Sequence, residues 1–406
     1  MVIKMRAYER LIKYTEYATG SDENNEQCPS TESQRVFAEY LADELRQLGV
    51  NDARVDENGY VYAKIPANCD TENGVNIGFI AHMDTISDVE YRNVKPRVIE
   101  DYDGGEIVLN EEQKIVMPPM PEYKGQSLVV TDGTTILGAD DKAGIAEIMT
   151  AVEMLMNDNS IKHGEVCIGF TPDEEIGRGA DLFDVKGFGA HFAYTVDGAN
   201  FGQIEYENFN AINAKVTVKG KSVHPGEAKY GGMKNANNIA MEFDSMLPKN
   251  ERPEYTEGYE GFFHLMEIKS DVEKAEMRYI LRDHDSTKIK IKRAVFESIA
   301  EFLNKKYGKD TVTLELVDAY ENMAEKIEPH YHLIDNAVKA IEAVGGTVDI
   351  SPIRGGTDGA RLSQMGLPCP NLGTGSANHH GRFEYAVVEE MDKCVETIIN
   401  IIKTYR

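Results

Sequence analysis

Apolar positions along this chain follow two different periods. After Thr31-Glu32-Ser33-Gln34, which reads as a capping box, Phe37, Leu41, Leu45 and Leu48 recur at helical spacing until Gly49 stops the helix. Two short strands then flank Glu57-Asn58-Gly59, a hairpin signature. Residues 75–81 (VNIGFIA) form a continuous apolar run, as expected of a strand buried on both faces. Residues 142–157 are expected to be helical, with Ile145, Ile148, Met149, Val152 and Met156 on one face. Further buried strands are expected at 166–170 and 192–196. Strands alternating with helices predict a mostly parallel α/β sheet.

Near residue 209 the pattern changes. Ile212, Ala214, Val216 and Val218 alternate with polar residues, so this strand has one wet face. A helix around 235–247, strands near 261–269 and 274–283, a long helix over 286–306 and a strand over 311–317 follow. That order, β-α-β-β-α-β, is the ferredoxin-like arrangement. After residue 319 the first pattern resumes. The expectation is therefore an α/β catalytic domain in two pieces, 1–208 and 319–406, with a mixed, mostly parallel sheet. A ferredoxin-like α+β domain, 209–318, is inserted between them.

The 406 residues suit two domains. A formal net charge of -26, spread along the chain, argues against nucleic-acid or membrane-surface partners. Five widely spaced cysteines without a CxxC pair argue against a disulfide framework or a thiolate metal site, and fit a reducing cytoplasm. The first residues, MVIKMRAYERLIKYTEYA, resemble an amphipathic helix interrupted by charge. They lack the apolar region and cleavage site of a leader, and no stretch approaches membrane-span length.

Five short runs carry candidate chemistry. His82-Met83-Asp84 follows the buried 75–81 strand, and residues two apart in extended chain point the same way, so Asp84 is placed to brace His82. Asp140 and Asp141, in GADDKAG, precede a helix; a carboxylate there either caps the helix or faces a metal. Asp173-Glu174-Glu175 follows the 166–170 strand, and such crowded carboxylates need exposure or a cation. Asp197 ends the 192–196 strand, and Asn378-His379-His380-Gly381 lies late in the chain. Any one of these runs alone is weak. Four of the five fall at the carboxyl ends of expected strands or at a helix start, the edge where α/β sheets build sites. Their histidines and carboxylates form the N/O donor set that suits zinc with open positions.

The runs AHMDT, GADDKAG, DEEIG, VDG and NHHG, in this order, resemble the dizinc peptidase superfamily of aminoacylases and carboxypeptidase G. Within it, VDGANFGQIEYENFNA, SVHPGEAKYGGMKNA, YEGFFHL, RYILRDHD and PIRGGTDGA are similar to its tripeptide aminopeptidases, over essentially the whole chain. The resemblance implies two zinc ions per chain: His82 and Asp197 on one, Glu175 and His380 on the other, Asp140 bridging both. The family pattern selects Asp140 over Asp141 and His380 over His379. It further implies Glu174 as general base and Asp84 as the residue orienting His82. His224, in SVHPG, would reach the substrate, and Arg354, with Arg282 as an alternative, would clamp a peptide carboxylate. The implied activity is release of the N-terminal residue from tripeptides. A homodimer through the inserted domain is compatible with the superfamily.

Overall fold

All six residues of the strand Ile77–His82 are buried, because it runs in the middle of a sheet covered on both faces. The computed structural model describes residues 4–70 and 74–406. Its residues divide into two compact units, Met1–Tyr206 with Glu325–Ser351 and Thr357–Arg406, and Glu207–Ala324 with Pro352–Gly356.

In the first unit, Ile77–His82 pairs in parallel with Val166–Thr171 on one side and with Phe192–Gly198 on the other. Asn371–Gly373 continues the parallel set beyond Phe192–Gly198. The hairpin of Arg54–Val55 and Val61–Ile65 closes one edge antiparallel, and Gln203–Glu205 and Asp349–Ile350 lie at the other. The eight-stranded sheet is thus mixed with a parallel centre, an α/β architecture. The helix Ala139–Asn157 packs on the two central strands and buries Ile145, Ile148, Met149 and Val152. A second, four-stranded sheet built from Arg97–Ile99, Leu128–Val130, Ser376–Ala377 and Tyr385–Val387 has no counterpart in the periodicity reading. Its strands are two or three residues long, too short to show a period.

The helix expected after Thr31 spans Glu32–Gln47, but the capping box does not form. Thr31 Oγ1 donates to the Gly20 carbonyl, and Gln34 turns inward to Asp173. The amphipathic N-terminal stretch gives the helix Ala7–Tyr14; its first three residues lie outside those described. All five cysteines are free. Among the described residues no helix is long and apolar enough to cross a membrane.

In the second unit Asn210–Lys219, Phe262–Ser270, Lys274–Asp283 and Val312–Tyr320 make one antiparallel sheet, with the first strand between the third and the fourth. Ala236–Ser245 and Ser286–Tyr307 pack on it, burying Val216, Val218, Phe243, Phe263 and Phe296 in one core. This is the β-α-β-β-α-β order. The unit begins and ends a few residues outside 209–318, because the Asn208 side chain bonds the Phe209 and Glu321 carbonyls and the Met323 N–H. Pro352–Gly356 also belongs to it: Ile353 bridges to Asn208, and its carbonyl meets His284 Nε2 at 3.0 Å.

Candidate metal centre and active site

Three adjacent parallel strands deliver most of the site, since their carboxyl ends lie side by side. His82 ends the central one, the acidic turn follows Val166–Thr171, and Asp197 lies near the end of Phe192–Gly198. Asp140 comes from the entry to the long helix, where Asp140 and Asp141 have non-helical backbone angles and a cis peptide joins them. His380 comes from a tight turn in which both it and Asn378 are left-handed.

Asp140 stands between two sets of donors. His82 Nε2 lies 2.9 Å from Asp140 Oδ1 and 3.3 Å from Asp197 Oδ1. His380 Nε2 lies 3.0 Å from Asp140 Oδ2 and 3.1 Å from Glu175 Oε2. Each set, His82–Asp140–Asp197 and Asp140–Glu175–His380, gathers three ligand atoms within 4.8 Å of one another. A nitrogen and two carboxylate oxygens in each set suit a divalent ion with open positions. Glu175 Oε1 is buried with no hydrogen-bond partner, a further sign of a carboxylate arranged for a cation.

The charges confirm how crowded the centre is. Burial pushes the Glu175 carboxyl up to about 7 against the hydrogen bond to His380. Hydrogen bonds to Asp140 and Glu175 push His380 up to about 10. For Asp140, burial is outweighed by the His380 and His82 hydrogen bonds, and its carboxyl is held well below the ordinary range. Glu174 is pushed well up by burial, with Asp197, Asp358 and Glu175 adding to the effect and His82 opposing it. A cation at Asp140 would relieve the repulsion among these carboxylates.

Asp84, fully buried, is arranged differently from the simple brace its spacing implies. His82 Nδ1 meets the main-chain carbonyl of Asp84 at 3.1 Å, while the nearer carboxylate oxygen is 3.4 Å away. The carboxylate instead accepts the N–H groups of Glu174, at 2.9 Å, and Glu175, at 3.1 Å. Asp141 accepts the His82 and Gly144 N–H groups, both at 3.1 Å. Neighbouring His379 hydrogen-bonds Ser376 Oγ through Nε2 at 2.8 Å, and its Nδ1 lies 3.5 Å from Asp140 Oδ2.

Several supporting residues escaped the sequence reading. Glu384, buried, accepts the N–H groups of Leu137 and Gly138 at 2.7 Å and of Asp140 at 3.1 Å. Asp358 accepts from Thr171 Oγ1 at 2.7 Å, and Asn371 accepts from the Asp197 N–H while donating to Glu205. Glu384 and Asn371 belong to no motif, and Asp358 lies within PIRGGTDGA without a local partner that singles it out; a buried polar group paired only with remote residues leaves no mark in a single sequence.

His224, Arg282 and Arg354 lie in the second unit. His224 is exposed, and its Nδ1 accepts from the Gly226 N–H at 3.2 Å. Arg282 donates to the Ile212 and Leu281 carbonyls and stacks over Tyr320. Arg354 donates to the Thr256, Gly258 and Glu260 carbonyls and lies over Phe209.

A mixed sheet with histidine and carboxylates gathered at the ends of its parallel strands suits a hydrolase, and residues 121–404 match peptidase family M20/M25/M40, to which the chain belongs. Over nearly its whole length the chain is similar to peptidase T from Caldanaerobacter subterraneus subsp. tengcongensis, 54% identical over 405 residues and 98% of both proteins. The solved aminopeptidase PepT from Bacillus cereus shares the fold, with a TM-score of 0.77 at 22% identity over 98% of this chain and 97% of that one. So does a dinuclear metal-binding peptidase of the M20 family from Bacillus subtilis, with a TM-score of 0.63 at 14% identity over 98% of both chains.

Proposed function

We propose that this peptidase is a tripeptide aminopeptidase working with two zinc ions, and that it releases the N-terminal residue by hydrolysis. The observation that carries this reading is Asp140 standing between two nitrogen-and-oxygen donor sets. His82, Asp140 and Asp197 would hold one ion, and Asp140, Glu175 and His380 the other. Bound there, the ions supply an acidified water and polarise the scissile carbonyl. The name of the 54% identical relative, peptidase T, supports the choice of peptide substrates.

Glu174 is the general base in this reading. It belongs to neither donor set, so its carboxylate is available to accept the proton of the attacking water. The water oxygen bonds to the carbonyl carbon, the C–N bond breaks, and Glu174 returns the proton to the departing amine. Asp84 orients His82 through its carbonyl and fixes Glu174 and Glu175 through its carboxylate.

His224 and Arg282, in the inserted domain 209–318, and Arg354 would be the substrate-binding residues. With Nδ1 accepting the Gly226 N–H, His224 would offer Nε2 to the oxyanion. Arg354, or Arg282, would take the peptide carboxylate as a bidentate clamp, exchanging present bonds to carbonyls for bonds to a charged acceptor. Such a carboxylate clamp would act as a ruler for tripeptides.

The test compares free and N-acetylated tripeptides on the zinc-loaded protein. An aminopeptidase cuts the first and spares the second. Equal cleavage of both would move the assignment to a deacylase or carboxypeptidase.

A further inference from the structure

We infer that Gln34, with Ser30, is a positioning residue for the general base, acting through Asp173. The inference rests on the reading of Glu174 as base and Glu175 as metal ligand.

Its physical basis is three consecutive backbone N–H groups, each held by a buried side chain. Gln34 Oε1 accepts from the Asp173 N–H at 3.0 Å, and the Asp84 carboxylate accepts from those of Glu174 and Glu175. Gln34 also donates through Nε2 to Asp173 Oδ1 at 2.7 Å. Its amide therefore grips both the main chain and the side chain of Asp173. Ser30 completes the cage, its N–H donating to Asp173 Oδ2 at 2.7 Å and its hydroxyl to Oδ1. Ser30, Gln34 and Asp173 are all buried.

The cage holds Asp173 in a demanding conformation. Asp173 has a φ of 60°, in the left-handed region that non-glycine residues seldom adopt. The single 3-10 turn Glu174–Ile176 begins directly after it. Rotating Asp173 back to an ordinary backbone conformation would swing Glu174 and Glu175 away from their places. Two bonds from one rigid amide oppose that rotation better than one could, because they fix a plane rather than a point.

The segment that supplies this cage also touches the other half of the site. Thr85, next to Asp84, donates its N–H to the Thr19 carbonyl at 3.2 Å and accepts the Ser21 N–H at 3.1 Å. Residues 19–34 thus bind both the loop after His82 and the acidic turn. They lie outside the 121–404 stretch that matches the family.

The test uses Gln34→Met, which keeps the volume and removes both bonds to Asp173 along with the Nε2 contacts to the Ser30 and Thr31 hydroxyls, and the pair Gln34→Glu with Asp173→Asn. In the pair the donor changes sides: the new carboxylate accepts from the backbone N–H and from the new amide, and the net charge is unchanged. Ser30→Ala is a milder third variant should Gln34→Met not fold. Each protein is loaded with cobalt as a spectroscopic stand-in, and its absorption spectrum, metal stoichiometry, kcat and KM on a tripeptide are measured.

Loss of an outer support of a ligand loop typically costs about 10–100-fold, so kcat of Gln34→Met should fall by about tenfold or more while KM and stoichiometry hold. The cobalt spectrum should shift, and the double variant should recover both spectrum and rate. A merely structural role would lower the folded fraction, so that kcat and bound metal per chain fall together at unchanged KM, and would not respond to the donor swap. Undiminished kcat in Gln34→Met, or a double variant that folds, binds both ions and stays as slow, overturns the inference. Should the unaltered protein cut no tripeptide, the base assignment fails and the spectrum judges the cage: shifted and restored sustains it, unmoved overturns it.

Discussion

Replacing Asp84 by Asn should separate the two metal positions. The Asp84 carboxylate takes two backbone N–H groups, those of Glu174 and Glu175, while the Asp84 main-chain carbonyl takes His82 Nδ1. Hydrogen bonds to a charged acceptor are worth about 1.5–3 kcal/mol each, so the carboxylate contributes about 3–6 kcal/mol to holding the acidic turn. An asparagine keeps one acceptor oxygen and turns its amide toward the other N–H. One bond is lost and one donor is stranded, at a cost of about 1.5–3 kcal/mol, or about 10–100-fold in an equilibrium that needs the turn in place. The carbonyl is untouched, so His82 keeps its orientation. Calorimetric zinc titration of the chelated protein should show the His82–Asp140–Asp197 ion bound as before and the Asp140–Glu175–His380 ion weakened by about 10–100-fold, with kcat lowered comparably at saturating zinc. Equal weakening of both ions would place the role of Asp84 at His82. Unchanged binding and rate would refute the argument outright.

Glu147 is fully buried with neither carboxylate oxygen bonded, and burial raises its pKa well above the ordinary 4.5. The folded chain therefore keeps a proton that the unfolded chain releases, and stability falls as pH rises through and above that ordinary value. Glu147→Gln should match the parent in acid and become increasingly more stable than it as pH rises; melting curves of the two proteins taken side by side across pH would show the widening gap, and a constant offset would contradict it. Zinc should raise the Tm of the chelated protein, with about 2.7 kcal/mol gained per ion at a free concentration 100 times its Kd, and calorimetry should count two ions per chain; one ion per chain would dismiss the shared site. Arg354→Ala should raise cleavage of longer peptides relative to tripeptides, and an unchanged ratio would remove the ruler.

The buried strands were legible because each is an unbroken apolar run, and the acidic and histidine motifs because they follow those runs directly. His82, Asp140, Glu175, Asp197 and His380, which the fold brings together, could be proposed as a set since their order along the chain resembles a known pattern. What holds them could not. Gln34 has the spacing of a helix cap and is engaged by Asp173, 139 positions away, a partner that exists only once the chain has folded. Glu384 carries no periodic or motif signal and Asp358 is one unmarked residue of PIRGGTDGA, although each fixes a loop end by hydrogen bonds to groups remote in sequence. The short strands of the second sheet escaped for a related reason: two or three residues pair by register with distant partners. Local pattern exposes burial, whereas long-range polar pairing stays hidden.

The most direct test of the central claim is a zinc titration of the chelated protein, following N-terminal residue release from an unblocked tripeptide, with Glu174→Gln measured alongside. The account predicts activity that appears as the second ion binds, and a variant that holds both ions yet has lost its turnover. Full activity with a single ion, or a Glu174→Gln protein as fast as its parent, would contradict it.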